Sequence, residues 1–433
     1  MEHRIFCYKT MAELAEEAER VHAFLPLSEH TSVLFSPCRI GAHACPNRIV
    51  FQPMEGTDGE EDGRPGEKTV RRYERFAKAG PGIIWFEAVA TLPRVRASAH
   101  QLMLTEENVD DYARLTDRIR AVCRRENGYE PILIMQSTNS GRYSKPQGYP
   151  EPLIAYHCPP LEDVPLPDSC IVKDDDLKRF EEAYETSSRL CQKAGFDGMD
   201  VKCCHRYLAC ELLSAYTRPG MYGGSFENRT RFLRNCYKAA QSAIRSPGFF
   251  LTSRLNVYDG FPYPYGFGVG EGSGLAPDLR EARQLIALLK EQYDIPLINI
   301  TMGNPYKNPH VNRPYDHGTY VPDEHPLEGE GRMMKGVSEL QHAFPDLPVI
   351  GSAFSYVRQF AGNLAAGMVE NGHCTLAGFG RMAFAYPDFV RDLKADGRMH
   401  PAKACVACGG CAQLLRAGTP AGCVVRDREV YHL

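Results

Sequence analysis

Short apolar runs alternate with amphipathic stretches along most of the chain beyond about residue 37. The sequence contains eight such runs, which are NRIVFQPM, GIIWFEAVA, PILIMQ, GMDVKCCH, FFLTSRL, IPLINIT, LPVIGSA and HCTLAGFGR. The segments between them, such as KTVRRYERFAKAG and LREARQLIALLKEQY, carry apolar residues at helical spacing. Strands that are almost continuously apolar indicate a parallel sheet buried on both faces, and eight strand–helix repeats predict a closed (β/α)8 TIM barrel in the α/β class. An open doubly wound sheet is the alternative.

The residues outside the eight runs predict two additions to the barrel. Residues 9–24 have apolar positions at helical spacing with charges between them, which predicts a helical packing arm. The last part of the chain contains a cluster of cysteines. We therefore divide the chain into an N-terminal helical arm (1–36), the barrel (37–400) and a C-terminal cysteine-rich segment (401–433). No G-x-G-x-x-G follows a run and opens a helix, so we expect no fused dinucleotide-binding domain.

The charge balance indicates a small-molecule partner. The 433 residues carry a net charge of −4 without long runs of one sign, so we expect neither nucleic acid nor an anionic membrane as a partner. The chain has no apolar stretch long enough to span a membrane, and its N-terminus, MEHRIFCYKTMAELAEEAER, is too polar for a signal peptide. We expect a cytoplasmic protein whose sixteen cysteines are mostly reduced, so clustered ones indicate metal or redox chemistry. Whether the protein forms a homo-oligomer stays open.

Polar residues close most of the apolar runs. In a TIM barrel the active site lies at the carboxyl ends of the strands, so these residues are expected to converge there. The strand-end candidates are Pro53, Met54, Glu55, Gln136, Lys202, His205, Tyr207, Arg254, Gly351, Ser352, Gly378, Gly380 and Arg381. Two long loops, VYDGFPYPYGFG and NPYKNPHVNRPYDHGTYVPDEHP, follow runs five and six and predict a covered substrate pocket.

The cysteine-rich segment contains Cys405, Cys408, Cys411 and Cys423. A zinc ribbon would show two C-x-x-C knuckles separated by a hairpin, whereas here three thiols lie on one compact loop and the fourth follows after a short segment. The Gly-Gly pair before the third cysteine lets the backbone wrap around a bulky ligand, and thiolates are the ligands of iron–sulfur clusters. This pattern favours a [4Fe–4S] cluster. A zinc ion, a disulfide and unligated cysteines are the alternatives.

The motifs at the strand ends resemble the Old Yellow Enzyme family of FMN-dependent ene-reductases. The resemblance rests on NRIVFQPM, QSTNSGR, GFDGMDVKCCHRYLACELLSAYTRPGMYGGSFENRTRFL, the arginine closing FFLTSRL, and GFGR, and it covers about residues 34–433. The tail is similar to the iron–sulfur branch typified by bacterial 2,4-dienoyl-CoA reductase, although that branch has one more residue between the second and third cysteines. The FAD- and NADPH-binding half of those relatives is missing here. The resemblance therefore implies electron delivery by a partner flavoprotein, a ferredoxin, or NADH or NADPH directly.

The resemblance implies a role for each cofactor-facing residue. Gln136 is expected to contact the pyrimidine edge of FMN, and Arg254 to place positive charge near its N1 and O2. A structural hydrogen bond and a barrel salt bridge are the alternatives for these two. The remaining flavin contacts are expected from Pro53, Met54, Glu55 and Ala88, and the phosphate contacts from Gly351, Ser352, Gly380 and Arg381. The glycines at 378 and 380 can instead serve a tight turn, and Glu55 can instead pair with Lys202.

The run four motif departs from the family pattern. The family has a His-x-x-His or His-x-x-Asn pair that binds the substrate carbonyl, with a proton-donating tyrosine two residues later, and this chain reads Lys202, His205, Arg206, Tyr207. We expect His205 and Lys202 to donate to the carbonyl oxygen and Tyr207 to act as the acid. Substrate contacts are expected from Arg206 and Tyr258. Structural ion pairs for the two cations, and core packing for His205 and Tyr207, are the alternatives.

These expectations predict an FMN- and [4Fe–4S]-dependent ene-reductase. It would saturate a C=C bond conjugated to a carbonyl, by hydride transfer to one carbon and protonation of the other. One alternative is an amine dehydrogenase or demethylase of the trimethylamine dehydrogenase type, which the aromatic loop at 258–267 keeps open. The other is a non-catalytic electron-transfer or zinc-stapled barrel protein.

Overall fold

The computed structural model describes residues 5–433, and its central element is a closed parallel barrel. The strands are β1 (Cys38–Ile40), β2 (His43–Cys45), β3 (Ile49–Phe51), β4 (Ile83–Ala90), β5 (Ile132–Thr138), β6 (Gly198–Val201), β7 (Phe250–Thr252), β8 (Arg254–Asn256), β9 (Ile298–Thr301), β10 (Val349–Gly351) and β11 (Leu376–Phe379). The first two form an antiparallel hairpin, and the other nine form one parallel sheet.

The barrel closes through a single interrupted strand. The sheet runs in the order β7-β6-β5-β4-β3-β11-β10-β9-β8. Its two end segments, β7 and β8, follow each other in the chain with only Ser253 between them, so one strand pairs with β6 through its first half and with β9 through its second. The result is the eight-stranded (β/α)8 barrel that the apolar runs predicted, and each of the eight runs contains one of its strands.

Thirteen helices accompany the described strands. They are α1 (Met11–Arg20), α2 (Glu67–Ala79), α3 (Val109–Asn127), α4 (Asp174–Lys193), α5 (Leu208–Leu213), α6 (Phe226–Ser242), α7 (Arg280–Tyr293), α8 (Pro309–Asn312), α9 (Pro326–Ala343), α10 (Ala361–Glu370), α11 (Arg381–Ala385), α12 (Phe389–Asp396) and α13 (Gly410–Ala417). Their buried faces pack on the outside of the sheet, as in α3, where Tyr112, Leu115 and Ile119 are buried. In the described chain, no helix combines the length and apolarity that a membrane crossing requires.

The long helix α9 has the sequence that is least typical of a helix. It contains Gly329, Gly331 and Gly336, and glycine disfavours helix interiors by roughly 1 kcal/mol each relative to alanine. The N-terminal arm passes so close that a Cβ at Gly331 would lie 2.6 Å from the backbone nitrogen of Phe24. A capping box between His325 and Glu328 defines the start of the helix. Tertiary packing and capping therefore override the low helix propensity.

The cysteine-rich segment lies across the carboxyl end of the barrel. The amide of Ala421 donates to the carbonyl of Gly56 in the loop after β3, at 2.7 Å. The guanidinium of Arg416 donates to the carbonyl of Pro305 in the loop after β9, at 2.9 Å. Asp427 forms ion pairs with Arg71 and Arg75 of α2 at 2.8 and 2.6 Å. The segment thus covers the end of the barrel where the strand-end residues converge.

Candidate active site

The turn after β6 presents the run four motif to the carboxyl end of the barrel. His205 and Arg206 both have left-handed backbone conformations, with φ of 62° and 60°, which are uncommon for residues other than glycine. Two backbone hydrogen bonds hold the turn. The amide of Cys203 donates to the carbonyl of Arg254 at 3.1 Å, and the amide of Tyr207 donates to the carbonyl of Cys204 at 3.3 Å. Backbone strain of this kind is found at functional sites, where the surrounding structure fixes it.

Glu55 joins the loop after β3 to this turn. Its Oε1 atom accepts from the Tyr207 hydroxyl at 3.3 Å and lies 3.4 Å from the Lys202 ammonium and 3.3 Å from the Gln101 amide. The ammonium lies 3.7 Å from the centre of the Tyr207 ring, in a cation–π arrangement. Burial, followed by the charge of Glu55, raises the pKa of Tyr207 well above its ordinary value. The hydroxyl is therefore protonated at neutral pH, and Glu55 has the pairing with Lys202 that the sequence offered as its alternative role.

Two further tyrosines extend this group, and the sequence analysis missed both. The hydroxyl of Tyr306 lies 3.1 Å from that of Tyr207. Tyr306 stacks on Tyr143 with ring centres 4.0 Å apart, and Asn304 donates to the Tyr143 hydroxyl at 2.7 Å. The available signal was position, because each tyrosine follows the end of a strand by a few residues, in QSTNSGRY and TMGNPY. The three rings form an aromatic wall at the carboxyl end of the barrel.

His205 is a neutral polar group without a partner. Burial, followed by the nearby charges of Arg254 and Lys202, lowers its pKa well below the ordinary value, so the imidazole is uncharged at neutral pH. Its Nε2 atom is buried and has no hydrogen-bond partner within residues 5–433. A buried polar atom normally has a partner. The imidazole is therefore suited to a ligand that the chain itself does not supply.

Arg254 is a second buried side chain with a polar atom that has no partner among the described residues. No carboxylate lies within ion-pair distance of its guanidinium in the described part of the chain, and its Nε atom is buried without a hydrogen bond. Burial lowers its pKa. An uncompensated cation is the expected feature where an anionic ligand binds, and it fits the anionic edge of a reduced flavin. The barrel salt bridge that was its alternative role is not formed among these residues.

Gln136 is held by a buried carboxyl group. Asp200 accepts from the Gln136 side-chain amide at 2.6 Å, from the Trp85 indole at 2.8 Å, and from the Arg254 backbone amide at 2.8 Å. Burial raises the pKa of Asp200 to about 6. Ala88 is the cross-strand neighbour of Gln136 and follows a β-bulge in β4. Bulges often re-aim side chains beside active sites, and these contacts fix the orientation of the Gln136 amide.

A buried ionic network supports the loop that contains Pro53, Met54 and Glu55. Arg72 lies 2.5 Å from Asp58 and also pairs with Glu87 of the bulge, which in turn accepts from the Gly56 amide at 2.7 Å. Burial opposes the ionised form of Asp58, but the charge and hydrogen bond of Arg72, together with the Thr69 hydrogen bond and the charge of Lys68, lower the Asp58 pKa. Burial raises the pKa of Glu87 to about 7. A charged network with these contacts fixes the loop, and with it the position of the Glu55 carboxylate.

The residues expected at the phosphate lie at the ends of β10 and β11. Ser352 donates its hydroxyl to the carbonyl of Ile300 at 2.8 Å. Arg381 donates to the carbonyl of Pro314 at 3.0 Å through Nη1, while its Nη2 is buried without a partner among residues 5–433. A Cβ at Gly380 would lie 3.1 Å from the Met54 sulfur, and one at Gly351 would lie 3.2 Å from the Phe354 ring. The glycines thus serve close packing, and Arg381 retains donor capacity for an anion.

The four cysteines of the C-terminal segment are free thiols, as are the other twelve cysteines. Gly409, with φ of 74°, begins α13, and the amides of Ala407 and Arg426 approach the sulfurs of Cys405 and Cys423 at 3.4 and 3.3 Å. Tetrahedral zinc would hold sulfurs about 3.8 Å apart, as Zn–S bonds of ~2.3 Å require. Among residues 5–433, no three of these thiols lie within 4.8 Å of one another, and the group that meets this limit is Asp392, Asp396 and His400.

Arg313 lies between the cysteine loop and the aromatic wall. Burial, followed by repulsion from Arg381, lowers its pKa to about 10, while the nearby thiol of Cys411 has the opposite effect. Tyr306 also contributes to this environment. Arg313 is therefore within electrostatic range of both Cys411 and Tyr306. The sequence offered no signal for it, because it lies within a long loop without regular spacing.

Arg206 and Tyr258 do not join the group. Arg206 is 0% exposed, forms an ion pair with Asp259 at 2.7 Å, and donates to the Tyr156 hydroxyl at 3.2 Å. Tyr258 is buried and donates its hydroxyl to the carbonyl of Leu275 at 2.6 Å. Within the described residues, neither side chain contacts Glu55, Lys202 or Tyr207. Arg206 has the structural ion pair that was the alternative to substrate contact.

Comparison with known proteins identifies the relatives of this chain. A model of the NADH:flavin oxidoreductase / NADH oxidase family matches residues 33–265. The NADPH dehydrogenase of Halalkalibacterium halodurans is 29% identical over 231 residues, which cover 52% of this chain and 65% of that protein. The match therefore spans slightly less than two thirds of the length of this curated relative.

Two solved structures have a similar fold. The structure of 2-naphthoyl-CoA reductase in complex with 2-naphthoyl-CoA has a TM-score of 0.75 at 21% identity, covering 92% of this chain and 57% of that one. Histamine dehydrogenase from Rhizobium sp. 4-9 has a TM-score of 0.69 at 18% identity, covering 93% of this chain and 54% of that one. At such identities the similarity concerns the fold alone.

The matched segment contains the strand-end groups described above. Residues 33–265 include Glu55, Gln136, the turn from Lys202 to Tyr207, and Arg254. The match confirms the family resemblance that these motifs indicated. The chain belongs to the NADH:flavin oxidoreductase / NADH oxidase family.

Proposed function

We propose that the protein is an FMN- and [4Fe–4S]-dependent ene-reductase that saturates a C=C bond conjugated to a carbonyl group. The observation that carries this proposal is the pairing of an acid with a carbonyl donor at one site. Tyr207 is protonated and hydrogen-bonded to Glu55, and two residues before it the neutral His205 has a buried Nε2 without a partner in residues 5–433. Reduction of a conjugated alkene requires both groups.

Tyr207 would supply the proton to the carbon next to the carbonyl. Its raised pKa keeps the hydroxyl protonated until the substrate takes the proton. The Lys202 ammonium over the Tyr207 ring then stabilises the phenolate that forms. Glu55, whose Oε1 atom accepts from the hydroxyl at 3.3 Å, holds the Tyr207 side chain in position. Glu55 and Lys202 thus act on the acid rather than on the substrate carbonyl.

His205 would hold the carbonyl oxygen. In the neutral imidazole one ring nitrogen carries a proton, and an Nε2–H would donate to the oxygen as negative charge develops on it. A donor of this kind stabilises the transition state more than the ground state, because the negative charge is greatest in the transition state. Arg254, which lowers the pKa of His205, favours the same negative charge electrostatically. The aromatic wall of Tyr143, Tyr207 and Tyr306 is suited to pack against a flat conjugated substrate.

The residues with unused donors suit the two cofactors. FMN would be held by Gln136 and Arg254 at its ring edge and by Arg381, with the backbone around Gly380, at its phosphate, and bound FMN would supply the hydride. The cluster would be held by Cys405, Cys408, Cys411 and Cys423, and it would supply electrons one at a time. The compact C-x-x-C-x-x-C loop with its separate fourth cysteine supports a cluster over zinc, and the amide contacts to two of the sulfurs suit thiolate ligands. NADH, NADPH, a ferredoxin or a partner flavoprotein would deliver the electrons.

The second candidate is an amine dehydrogenase, and the aromatic wall favours it. Three tyrosines with ring centres 4.0 to 6.5 Å apart can surround an alkylammonium group through cation–π contacts. Histamine dehydrogenase, with which this chain shares its fold, bears a name of this class. Lys202 weighs against this candidate, because its ammonium already occupies the face of the Tyr207 ring and would repel a second cation.

The cofactors are tested on protein purified without oxygen. We expect a flavin spectrum and about four iron atoms per chain, as a [4Fe–4S] cluster requires. Cys423→Ser should lose most of the iron and retain the flavin, while Cys170→Ser, at a cysteine outside the segment, should retain both. Protein with flavin but with zinc in place of iron would contradict the cluster assignment, and protein without flavin would contradict the function.

The reaction is tested with the reduced protein under the same conditions. Panels of enones, enoates, enoyl thioesters, dienones and conjugated tetrapyrroles are mixed with it, and tertiary amines are mixed with the oxidised protein. We expect at least one alkene to reoxidise the flavin. Failure of every alkene, together with reduction of the oxidised flavin by an amine, would establish the second candidate instead.

A further inference from the structure

Two cysteines face each other at the amino end of the barrel, far from the residues discussed above. In the hairpin of β1 and β2, Cys38 is directly opposite Cys45. Directly opposed residues of antiparallel strands have Cα atoms about 4.5–5.5 Å apart, which lies within the range of a disulfide. The two side chains share a hydrogen bond, and both thiols are free. The backbone therefore already has the pairing that a disulfide requires.

The two thiols differ in their surroundings. Cys38 is half-buried, whereas Cys45 is fully buried, with its sulfur 3.0 Å from the carbonyl oxygen of Asn47. The hydrogen bond from Cys45 lowers the pKa of Cys38 to about 7, against the effect of burial and with a smaller contribution from the Arg48 guanidinium. The bond to Cys38, followed by burial, raises the pKa of Cys45. Cys38 is thus the more accessible thiol and the better nucleophile, and Cys45 is placed to resolve it.

We propose that Cys38 and Cys45 form a peroxide-sensitive dithiol that closes to a disulfide within the hairpin. The Cys38 thiolate attacks one oxygen of hydrogen peroxide, the O–O bond breaks, and a sulfenic acid and hydroxide form. The hydroxide takes up a proton, equal to the one that the Cys38 thiol released, and becomes water. The Cys45 sulfur then attacks the Cys38 sulfur, the S–O bond breaks, and the hydroxyl leaves with the Cys45 proton as water. Two thiols lose two electrons and two protons, and one peroxide becomes two waters.

The hairpin is attached to the barrel at a place where a cross-link has a structural effect. A ring nitrogen of His43 lies 2.8 Å from the carbonyl of Gly248, just before β7, and a Cβ at Gly41 would lie 3.3 Å from Pro296, just before β9. Cys45 itself packs among the residues that fill the barrel interior at this end. A disulfide would cross-link the hairpin of β1 and β2 at the amino end of the barrel, without contact to the carboxyl end. This proposal is therefore independent of the proposed function.

The test is peptide mapping of the oxidised protein. Protein with its cofactors, purified without oxygen, is treated with a few equivalents of hydrogen peroxide, alkylated, and digested with trypsin. Cleavage after Arg20, Arg39 and Arg48 separates the two thiols into peptides 21–39 and 40–48. We expect these peptides to appear as one cross-linked species, two hydrogens lighter than their sum, and to separate on reduction.

Two variants assign the chemistry. In Cys45→Ser, a dimedone adduct should appear on Cys38, and in Cys38→Ser, modification of Cys45 by peroxide should fall at least tenfold. Cys170→Ser, the matched control at another half-buried cysteine, should leave the yield of the cross-link unchanged. Recovery of both peptides as singly alkylated species after peroxide, or oxidation of Cys38 to the sulfinic acid while Cys45 is alkylated, would overturn the proposal.

Discussion

Two ion pairs flank His205 in the turn after β6, and they differ in what surrounds them. Arg206 and Asp259 are both 0% exposed and lie 2.7 Å apart, and the two terminal nitrogens of the guanidinium make further contacts to neighbouring polar groups. Lys202 and Glu55 lie 3.4 Å apart, and Glu55 also accepts from the Tyr207 hydroxyl. The pair of Arg206 and Asp259 is fully buried in the protein interior, whereas the pair of Lys202 and Glu55 is part of the candidate active site.

The difference shows how one motif can contain both a structural and a chemical substitution. Each cation departs from the family pattern, and each has a carboxylate partner from a different strand end. Removal of one member of a fully buried pair leaves an uncompensated charge, which is strongly destabilising. Removal of Lys202 or Glu55 instead changes the surroundings of the proposed acid, Tyr207. The variants below separate these two consequences.

The largest expected effect is on stability. Arg206→Leu leaves Asp259 buried without its cation, and such changes cost about 3–5 kcal/mol. The shift in the urea-unfolding midpoint of the purified protein measures this cost. Lys202→Met is the matched control, and its cost should be smaller because Glu55 keeps its contacts to Tyr207 and Gln101. Equal losses of stability in the two variants would remove the distinction between the pairs.

The second effect is on the acid. Tyr207→Phe removes the proposed proton donor, and general acid catalysis of this kind contributes roughly 10²–10⁴-fold. Anaerobic stopped-flow mixing should show flavin reoxidation by an alkene slowed by about that factor, with flavin reduction nearly unchanged. Tyr143→Phe, on the same aromatic wall, should leave both rates within about a few-fold of those of the parent protein. Loss of equal size in both half-reactions would contradict the acid role of Tyr207.

The third effect is on the potential. Glu55→Gln leaves the Lys202 charge uncompensated near the flavin, and this favours the reduced form. The two-electron midpoint potential should rise by tens of millivolts, where about 30 mV corresponds to a tenfold change in the equilibrium constant. Spectroelectrochemical titration measures the shift, and Asp259→Asn, in the buried pair, should leave the potential unchanged. A fall in potential with Glu55→Gln would be inconsistent with the pairing of Glu55 and Lys202.

The smallest effect is on the pH profile. Burial, followed by the charge of Glu55, raises the pKa of Tyr207. An acid acts while it is protonated, so this shift moves the loss of its activity to higher pH. His205, whose pKa is lowered, stays neutral over the same range. The rate of flavin reoxidation should therefore be nearly constant from about pH 8 to about pH 9, above the range in which the buried Asp200 and Glu87, with pKa values of about 6 and about 7, change their charge. A decline in this rate centred below pH 9 in the parent protein, but absent in Tyr207→Phe, would show that Tyr207 ionises at a lower pH than its raised pKa predicts.

The sequence predicted the barrel well because its strands are buried on both faces and read as apolar runs. It also predicted the strand-end groups, because parallel strands deliver their carboxyl ends to one side. The sequence did not predict the partner of Arg206, because Asp259 lies 53 residues further along the chain and only the fold brings the two together. Tyr143 and Tyr306 lack a motif of their own, and the glycines of α9 conceal a helix that packing requires.

The most direct measurement of the central claim is product stoichiometry in a single turnover. The reduced protein is mixed anaerobically with an alkene that reoxidises it, and the saturated product is quantified against the flavin absorbance that returns. In protein that holds two electrons per chain, the account predicts one saturated product for each flavin that is reoxidised, with the same ratio but a slower rate in Tyr207→Phe. Reoxidation of the flavin without formation of a saturated product would contradict it.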